Sequence, residues 1–246
     1  MNQADMNTNL LTLEGVHTHI GAYHILHGVD LVVPRGELTM LLGRNGAGKT
    51  TTLRTIMGLW QASQGRITFG DEDITALNTP AIAQKNIAYV PENMGIFSDL
   101  TVKENMLLAA RSAQNASQMD EARLQWIFKL FPAVEKFWNH PAGKLSGGQK
   151  QMLAVSRAIV EPRDLLIIDE PSKGLAPAII QNMIEAFQQL KASGVTILLV
   201  EQNIHFAQQL GDTVAVMDNG RVVHAGRMQA LAEDTALQQS LLGLAL

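Results

Sequence analysis

A glycine-rich loop at residues 43–50, GRNGAGKT, constrains the fold of this chain more than any other feature. It has the form G-x-x-x-x-G-K-T, it follows the apolar run 37–42, and a helical pattern follows it at 49–60. In this strand–loop–helix context the glycines let backbone N–H groups surround phosphate oxygens, and the helix N-terminus adds its positive dipole end. The loop predicts a nucleotide-binding α/β fold.

The loop and the first helical residues are the predicted phosphate contacts. Lys49 is expected to pair with the β- and γ-phosphates, and the hydroxyl of Thr50 to ligate Mg²⁺. A chance glycine turn between a strand and a helix is the alternative interpretation. The predicted contacts are Gly43, Arg44, Asn45, Gly46, Ala47, Gly48, Lys49, Thr50 and Thr51.

A pair of acidic residues ends another apolar run, LLIIDE (165–170). The run predicts a buried strand, and Asp169 and Glu170 stand at its carboxyl end, where ligands bind in open α/β sheets. We expect Asp169 to hold Mg²⁺ through water, because this ion loses its own water reluctantly. Glu170 is placed to polarise an attacking water. An ordinary strand ending in solvated acids is the alternative, and the phosphate loop argues against it.

The remaining pattern indicates one domain over residues 1–246 with a helical insertion. Residues 10–33 alternate as antiparallel strands do. Residues 101–160 show helical patterns and no convincing strand, which predicts a helical subdomain at about 93–160 between two halves of an α/β core. Further strands are expected at 65–70, 86–90, 164–169, 195–200 and 213–217, and a helix at 176–192.

A second glycine-rich stretch, LSGGQ (145–149), also opens a helical pattern. A capping box explains Ser146 and Gln149, but Gly147 and Gly148 weaken a helix. Bare backbone at a helix N-terminus suits an approaching anion. Because the first loop already holds the phosphates of one nucleotide, we infer that Ser146, Gly147, Gly148 and Gln149 contact the nucleotide of a second copy. Each copy would then close the site of the other.

Composition argues against several other classes of protein. The chain has 19 basic and 23 acidic residues without a basic run, which disfavours nucleic acid as the main partner. The absence of cysteine excludes disulfides and thiolate metal sites. His17 and His19 are interpreted as structural or solvated. The polar start, and the lack of any apolar run near the roughly 18 residues of a spanning helix, predict a soluble intracellular protein that reaches membranes only through a partner.

The order GRNGAGKT, LSGGQ, LLIIDE resembles the ATP-binding-cassette (ABC) family over essentially the whole chain. The resemblance implies a P-loop NTPase core with an antiparallel β-subdomain and a helical subdomain that carries LSGGQ. It also implies an ATPase in which two subunits sandwich two ATP molecules, with Mg²⁺, head to tail and drive membrane-embedded permease subunits.

Finer likeness is to the ATPase subunits of branched-chain amino-acid uptake systems and of related urea and amide importers. It implies a homodimer or a heterodimer with a paralogue, bound to permeases at the inner face of the cell membrane and served by a solute-binding protein, without nucleic acid. The stretches that carry this likeness are 89–105, 169–177, 198–203, 216–226 and 241–244.

Two residues depart from the general ABC pattern in a manner typical of that group. Glu92 stands where most subunits have a Gln that reaches Mg²⁺, and a carboxylate is still a hard oxygen ligand. Gln202 stands where most have a His that touches the γ-phosphate. His205 lies three residues further, about 10 Å in an extended chain, so Gln202 is the residue expected to make this contact.

The adenine contact and the permease contact are less sharply defined. In members of the family, an aromatic side chain stacks on adenine. Alignment on LHGVDL places Ile20 at that position and Tyr23 three residues later, so both residues remain candidates for the adenine contact. An aromatic cluster is expected to form the helical core, with one edge free for a membrane partner, although 92–99 is favoured for that contact. The cluster is Trp126, Phe128, Phe131, Phe137 and Trp138.

A soluble ABC ATPase acting on nucleic acid or ribosomes is the alternative function. Such proteins usually carry two cassettes in one chain or long coiled coils. This chain has one cassette and only about 60 residues between the core halves, too few for a long coiled coil. The sequence therefore favours transport.

Overall fold

A computed structural model describes residues 8–111, 113, 115 and 118–243. Leu244, the last residue of the 241–244 stretch, and residues 1–7 lie outside that description. The strands are β1 (Asn9–Ile20), β2 (Tyr23–Pro34), β3 (Leu38–Gly43), β4 (Ala62–Phe69), β5 (Glu72–Asp73), β6 (Ile87–Val90), β7 (Leu165–Asp169), β8 (Thr196–Val200), β9 (Thr213–Asp218) and β10 (Arg221–Arg227). The helices are α1 (Lys49–Ile56), α2 (Thr79–Ala83), α3 (Val102–Ala109), α4 (Glu121–Leu130), α5 (Pro132–Lys136), α6 (Gly147–Ala158), α7 (Pro177–Ala192), α8 (Ile204–Leu210), α9 (Met228–Glu233) and α10 (Thr235–Leu242).

A six-stranded sheet in the order β10-β9-β3-β8-β7-β6 forms the centre of the fold. All neighbours from β9 to β6 run parallel, and only β10 is antiparallel, at the edge. Every residue of β3, β7 and β8 is buried. Strands covered on both faces are continuously apolar in sequence, which is why these short runs could be predicted as parallel strands. The α/β prediction is confirmed.

The two faces of this sheet are covered by different layers. Met40 and Leu42 of β3 join the core formed with helices α3 to α9, which includes Phe187 of α7. Leu41, which points the other way, joins the core shared with α1 and the antiparallel sheet, including Leu26 of β2. Because side chains alternate between the two faces along β3, one face of the sheet packs against a helical layer and the other against a β-layer.

The second sheet has the order β2-β1-β4-β5 and is antiparallel, as residues 10–33 predicted. His17 pairs across the hairpin with His27, and His19 pairs with His24. These rings stack on one another, for example at 4.1 Å between the His19 and His24 centroids. Across the residues described, no group of three or more His, Asp or Glu side chains converges as a metal site.

The region between the core halves is helical, as expected. Helices α3 to α6 fill it, and within its described residues the extended structure is limited to one bridge between Thr101 and Pro141. Of the predicted aromatic cluster, Phe131 is buried and the other four members pack partly buried against the same core. Across the described part of the chain, none of the helices combines the length and apolar character that crossing a bilayer requires.

Candidate functional site

The phosphate loop connects the end of β3 to the start of α1, and two of its glycines cannot be replaced without strain. Gly43 has φ +147°, and a Cβ there would lie 2.3 Å from the Met217 carbonyl oxygen on β9. Gly48 has φ +104°, and its Cβ would lie 3.0 Å from Leu26. The motif glycines are therefore required both by backbone conformation and by the close approach of β9 and β2.

Lys49 lies inside this loop, with only 5% of its surface exposed. Its Nζ donates to the carbonyl oxygens of Gly43 at 2.8 Å and Arg44 at 3.0 Å, and it lies 3.7 Å from Glu170 Oε1. Burial lowers the pKa of Lys49, while the charges of Glu170 and Asp169 oppose that shift. The ammonium is thus held where the loop would present it to phosphate oxygens.

Asp169 and Thr50 meet at the carboxyl end of β7. The Thr50 hydroxyl donates to Asp169 Oδ1 at 3.2 Å. Asp169 is fully buried, and its Oδ2 has no hydrogen-bond partner in the described residues. Burial raises the pKa of Asp169 to about 6; the Thr50 hydrogen bond opposes this, and the nearby charges of Glu170 and Glu92 add to it. An unpartnered carboxylate oxygen beside a hydroxyl is the hard donor set that fits Mg²⁺.

Glu170 follows Asp169 in a backbone conformation that a non-glycine residue rarely adopts, with φ 48°. Its amide donates to the Val200 carbonyl of β8 at 3.0 Å. Its side-chain Oε1 accepts from Gln202 Nε2 at 2.5 Å. Strained residues of this kind persist where the surrounding structure fixes them, commonly at functional sites.

Gln202 joins Glu170 to the phosphate loop. The same Nε2 that donates to Glu170 also donates to Asn45 Oδ1 at 2.7 Å. His205 instead lies exposed in the first turn of α8 and does not line the cleft around Lys49 in the described residues. Gln202 does not line that cleft either; it lines the adjoining pocket with Gly43 and Asn45. The choice of Gln202 over His205 therefore stays a prediction, for which the bond from Gln202 to Glu170 is the supporting contact.

The cleft itself has a volume of about 320 Å³. Glu92 lines it on one side and forms an ion pair with Lys173 at 2.5 Å; Lys173 also lies 3.5 Å from Glu170 Oε2. The sequence interpretation missed Lys173, although its place three residues after Glu170 was a usable signal. The lining residues are Ile25, Asn45, Gly46, Gly48, Lys49, Thr50, Thr51, Glu92, Glu170 and Lys173.

The two candidates for adenine contact lie on the same face of the hairpin, since Ile20 and Tyr23 are cross-strand partners. Tyr23 is 76% exposed. A register shift in the hairpin places Ile25 on the wall of the cleft. Ile25 is therefore a third apolar candidate for the adenine contact, which the sequence pattern did not identify.

The LSGGQ stretch begins α6 with the predicted capping box. The Ser146 amide donates to Gln149 Oε1 at 2.9 Å, and the Gln149 amide donates to Ser146 Oγ at 3.4 Å. Gly148 has a packing role that the sequence did not show, because a Cβ there would lie 2.6 Å from Ile179 of α7. A Cβ on Gly147 would meet nothing within 4 Å. None of the four residues lines the phosphate cleft of the described chain.

A phosphate loop between a parallel strand and a helix, with a buried carboxylate at the end of a neighbouring strand, defines a P-loop nucleotide-binding protein. A comparison with models of protein families identifies a more specific class of P-loop protein. The ABC transporter family matches residues 26–173. The chain belongs to this family and is an ATP-binding ATPase coupled to transport.

Individual relatives extend the likeness over nearly the full chain. It is 39% identical over 234 residues to the high-affinity branched-chain amino acid transport ATP-binding protein BraG of Pseudomonas aeruginosa, covering 95% of this chain and 100% of that protein. It is 33% identical to the probable branched-chain amino acid transport ATP-binding protein LivF of Archaeoglobus fulgidus, covering 90% and 93%. The ADP conformation of MJ1267, an ATP-binding cassette of an ABC transporter, superposes with a TM-score of 0.80 at 25% identity, covering 96% and 99%.

The two adjacent glycines give a matched stability test. Gly148→Ala should lower the free energy of unfolding by about 1–3 kcal/mol, because its methyl group overlaps Ile179. Gly147→Ala should change it by less than about 0.5 kcal/mol, since the methyl group enters open space. Urea denaturation of the nucleotide-free variants measures both. Equal losses in the two variants would contradict the packing assigned to Gly148.

The buried charge of Asp169 predicts a pH-dependent stability. Its pKa of about 6 lies above the ordinary value of 3.8, so the folded state binds a proton more readily between these values. Stability should therefore fall as pH rises through this window. Asp169→Asn should raise the free energy of unfolding of the nucleotide-free protein at about pH 7.5 by on the order of 1–3 kcal/mol, and the gain should shrink toward about pH 4.

The control for this prediction is Asp71→Asn, at an exposed turn position, which should change nothing in the same urea titrations. An Asp169→Asn variant that is less stable than the parent at neutral pH would show that the carboxylate is not strained by its burial.

Proposed function

We propose that this chain is the ATP-hydrolysing subunit of an importer for branched-chain amino acids or a related small amide or urea substrate. The observation that carries the hydrolytic part is the approach of Lys49 to Glu170 at 3.7 Å in one cleft. Beside that cleft, Asp169 bonds to Thr50 and Gln202 bonds to Glu170. The substrate class is supported by the names and near-complete coverage of the relatives in Pseudomonas aeruginosa and Archaeoglobus fulgidus.

In this proposal the loop at 43–51, which includes Lys49, binds the phosphates of ATP. Thr50 and Asp169 would hold Mg²⁺, and Glu92, which lines the same cleft as Thr50, would be a further oxygen ligand. A bound Mg²⁺ would withdraw negative charge from the phosphate oxygens. Glu170 would orient the attacking water and accept its proton. Gln202, which donates to both Glu170 and Asn45, would contact the γ-phosphate.

A second subunit supplies the remaining contacts. Ser146 and Gly147 are exposed and lie outside the cleft of their own chain. No packing contact in the described chain requires a glycine at position 147, because a Cβ there would enter open space. The N-terminus of α6 is a favourable site for an anion. We place Ser146, Gly147, Gly148 and Gln149 against the ATP held by the partner, in a homodimer or a heterodimer with a paralogue.

A groove beside the nucleotide cleft is the proposed permease contact. It has a volume of about 1010 Å³ and runs between the end of α1, residues 91–95 and helix α6. Phe97 is 50% exposed beside it, over the Arg157 guanidinium. The buried Asn105 holds this segment, because its amide bonds both the N–H and the C=O of Phe97 at 2.9 Å. Since Glu92 belongs to both cavities, permease contact and nucleotide state would be coupled there.

The working complex would therefore contain two such subunits, integral-membrane permeases and, indirectly, a solute-binding protein. The chain would lie on the cytoplasmic face of the cell membrane, as a peripheral subunit. The helical subdomain at about 93–160 and the adenine contact by Ile20 or Tyr23 belong to the same proposal.

Uptake into vesicles tests the substrate class. The chain would be reconstituted with candidate permease subunits and a solute-binding protein, and supplied with ATP on the cytoplasmic side. Accumulation of labelled leucine, urea or a short amide supports the proposal. Outward movement of these compounds, or ATPase activity that none of them stimulates, would contradict the importer assignment.

The shared site predicts a trapped dimer. Glu170→Gln should still bind ATP but hydrolyse it slowly, because a neutral amide is a poor base. Size exclusion with ATP and Mg²⁺, with and without the permease subunits, should show a dimer that the parent forms only transiently. Adding Lys49→Ala should abolish it by removing the phosphate-facing cation. Monomers under every condition would contradict the shared site.

The contact that Gln202 makes at the end of β8 predicts that substitutions of Gln202 and of His205 have very different effects on kcat. Gln202→Ala should lower kcat about tenfold or more, by analogy with the loss of one positioned polar donor. His205→Ala should leave kcat nearly unchanged, because in the described residues this side chain lines neither the cleft nor the adjoining pocket that Gln202 lines. Steady-state ATPase assays of the assembled complex measure both. A severe defect in His205→Ala with a silent Gln202→Ala would reverse the assignment.

A further inference from the structure

Glu201, the residue before Gln202, is a buried carboxylate to which the proposed hydrolytic mechanism gives no role. It is 2% exposed. A charge in such surroundings is costly unless it is paired or hydrogen-bonded. No cation lies within ion-pair distance of it in the described residues. Its charge is instead compensated by backbone amides.

Three N–H groups from two loops converge on this carboxylate. Oε1 accepts from the Ser172 amide at 2.9 Å. Oε2 accepts from the amides of Gln202 at 3.0 Å and Asn203 at 3.2 Å. Burial raises the pKa of Glu201, and these hydrogen bonds lower it. Accepting several backbone N–H bonds is the arrangement that keeps a buried carboxylate ionised.

The two loops that Glu201 joins are those that present Glu170 and Gln202. Ser172 follows Glu170 by two residues, and Gln202 directly follows Glu201. Glu170 has a strained backbone, so its position depends on anchors at both sides. One anchor is its own amide bond to Val200, and the other is the bond from Ser172 to Glu201.

We propose that Glu201 is a positioning residue for ATP hydrolysis, which fixes the loop carrying Glu170 against the loop carrying Gln202. This inference rests on the hydrolytic function proposed above. Glu201 does not line the phosphate cleft, and its side-chain hydrogen bonds in the described residues go to the amides of Ser172, Gln202 and Asn203. It acts through the 2.5 Å contact between Gln202 and Glu170. A glutamine cannot place an acceptor oxygen on both loops, because its NH₂ group only donates, and an aspartate keeps both oxygens but has a shorter reach.

Glu201→Gln is the primary test, because the shape is kept while one acceptor oxygen becomes an NH₂ donor. We expect kcat to fall about tenfold to a hundredfold, as a small displacement of reacting groups does. ATP affinity, measured with a fluorescent ATP analogue, should stay within about threefold, since no ion pair or side-chain hydrogen bond in the described residues joins Glu201 to Lys49 or the phosphate loop. Glu201→Asp, which keeps the charge but shortens its reach, should show the same division between kcat and affinity.

Glu37→Gln is the matched control. It makes the same substitution next to the opposite end of β3, where Glu37 pairs with Arg227 at 2.9 Å, and it should leave kcat unchanged. A second readout is the combination of Glu201→Gln with Gln202→Ala. If Glu201 acts through Gln202, the double variant should be little slower than Gln202→Ala alone.

Two results would overturn the proposal. One is a normal kcat in Glu201→Gln. The other is a parallel loss of ATP affinity, thermal stability and kcat in both Glu201 variants, or failure of both to fold, which would assign the residue to stability alone. An inactive parent chain would instead contradict the proposed hydrolytic function, so the two failures are distinguishable.

Discussion

The parallel register of three strands at their carboxyl ends is the constraint on which the site depends. Val200 of β8 is paired with Leu41 of β3 on one side and with Asp169 of β7 on the other. This places the phosphate loop, the acidic strand end and the loop of Gln202 next to one another. A slip of one residue would turn Asp169 to the opposite face of the sheet. The buried apolar residues of these strands, which fix the register, therefore also fix the chemistry.

At the carboxyl edge of the central sheet, negative charge exceeds positive charge when no nucleotide is bound. Asp169, Glu170, Glu92 and Glu201 lie close to the cleft, while Lys49 is the buried cation among them. The raised pKa of Asp169 and the lowered pKa of Lys49 both express the cost of removing charge from water. These charges make the nucleotide-free fold less stable, and the same charges interact strongly with a bound ligand. Within the proposal, a phosphate chain with its metal ion restores the balance.

Local sequence patterns predicted most of the fold. Short apolar runs marked the parallel strands because these are covered on both faces, and the spacing of Gly43, Gly48 and Lys49 identified the phosphate loop. Strand β10 was not assigned, although Asn219-Gly220, both at positive φ, is a strong hairpin signal. The capping box at Ser146 was confirmed because it is a contact between neighbours in sequence.

What the sequence could not show are contacts between residues far apart along the chain. The packing of Gly148 on Ile179, the pairing of Lys173 with Glu92 and the amides that surround Glu201 each depend on tertiary folding. No periodicity or spacing encodes them. The position of Ile25 at the cleft is a similar case, because the register of the hairpin is set by packing rather than by any single residue.

Cross-linking between copies tests most directly that each ATP site is shared. The chain contains no cysteine, so Asn45→Cys in one preparation and Ser146→Cys in another each carry a single thiol. The two would be mixed with a short bismaleimide and a non-hydrolysable ATP analogue. We predict a covalent dimer that joins the thiol at position 45 of one copy to the thiol at position 146 of the other, dependent on the nucleotide and stronger than in either preparation alone. A mixture that stays monomeric, or that cross-links equally without nucleotide, would contradict the shared site.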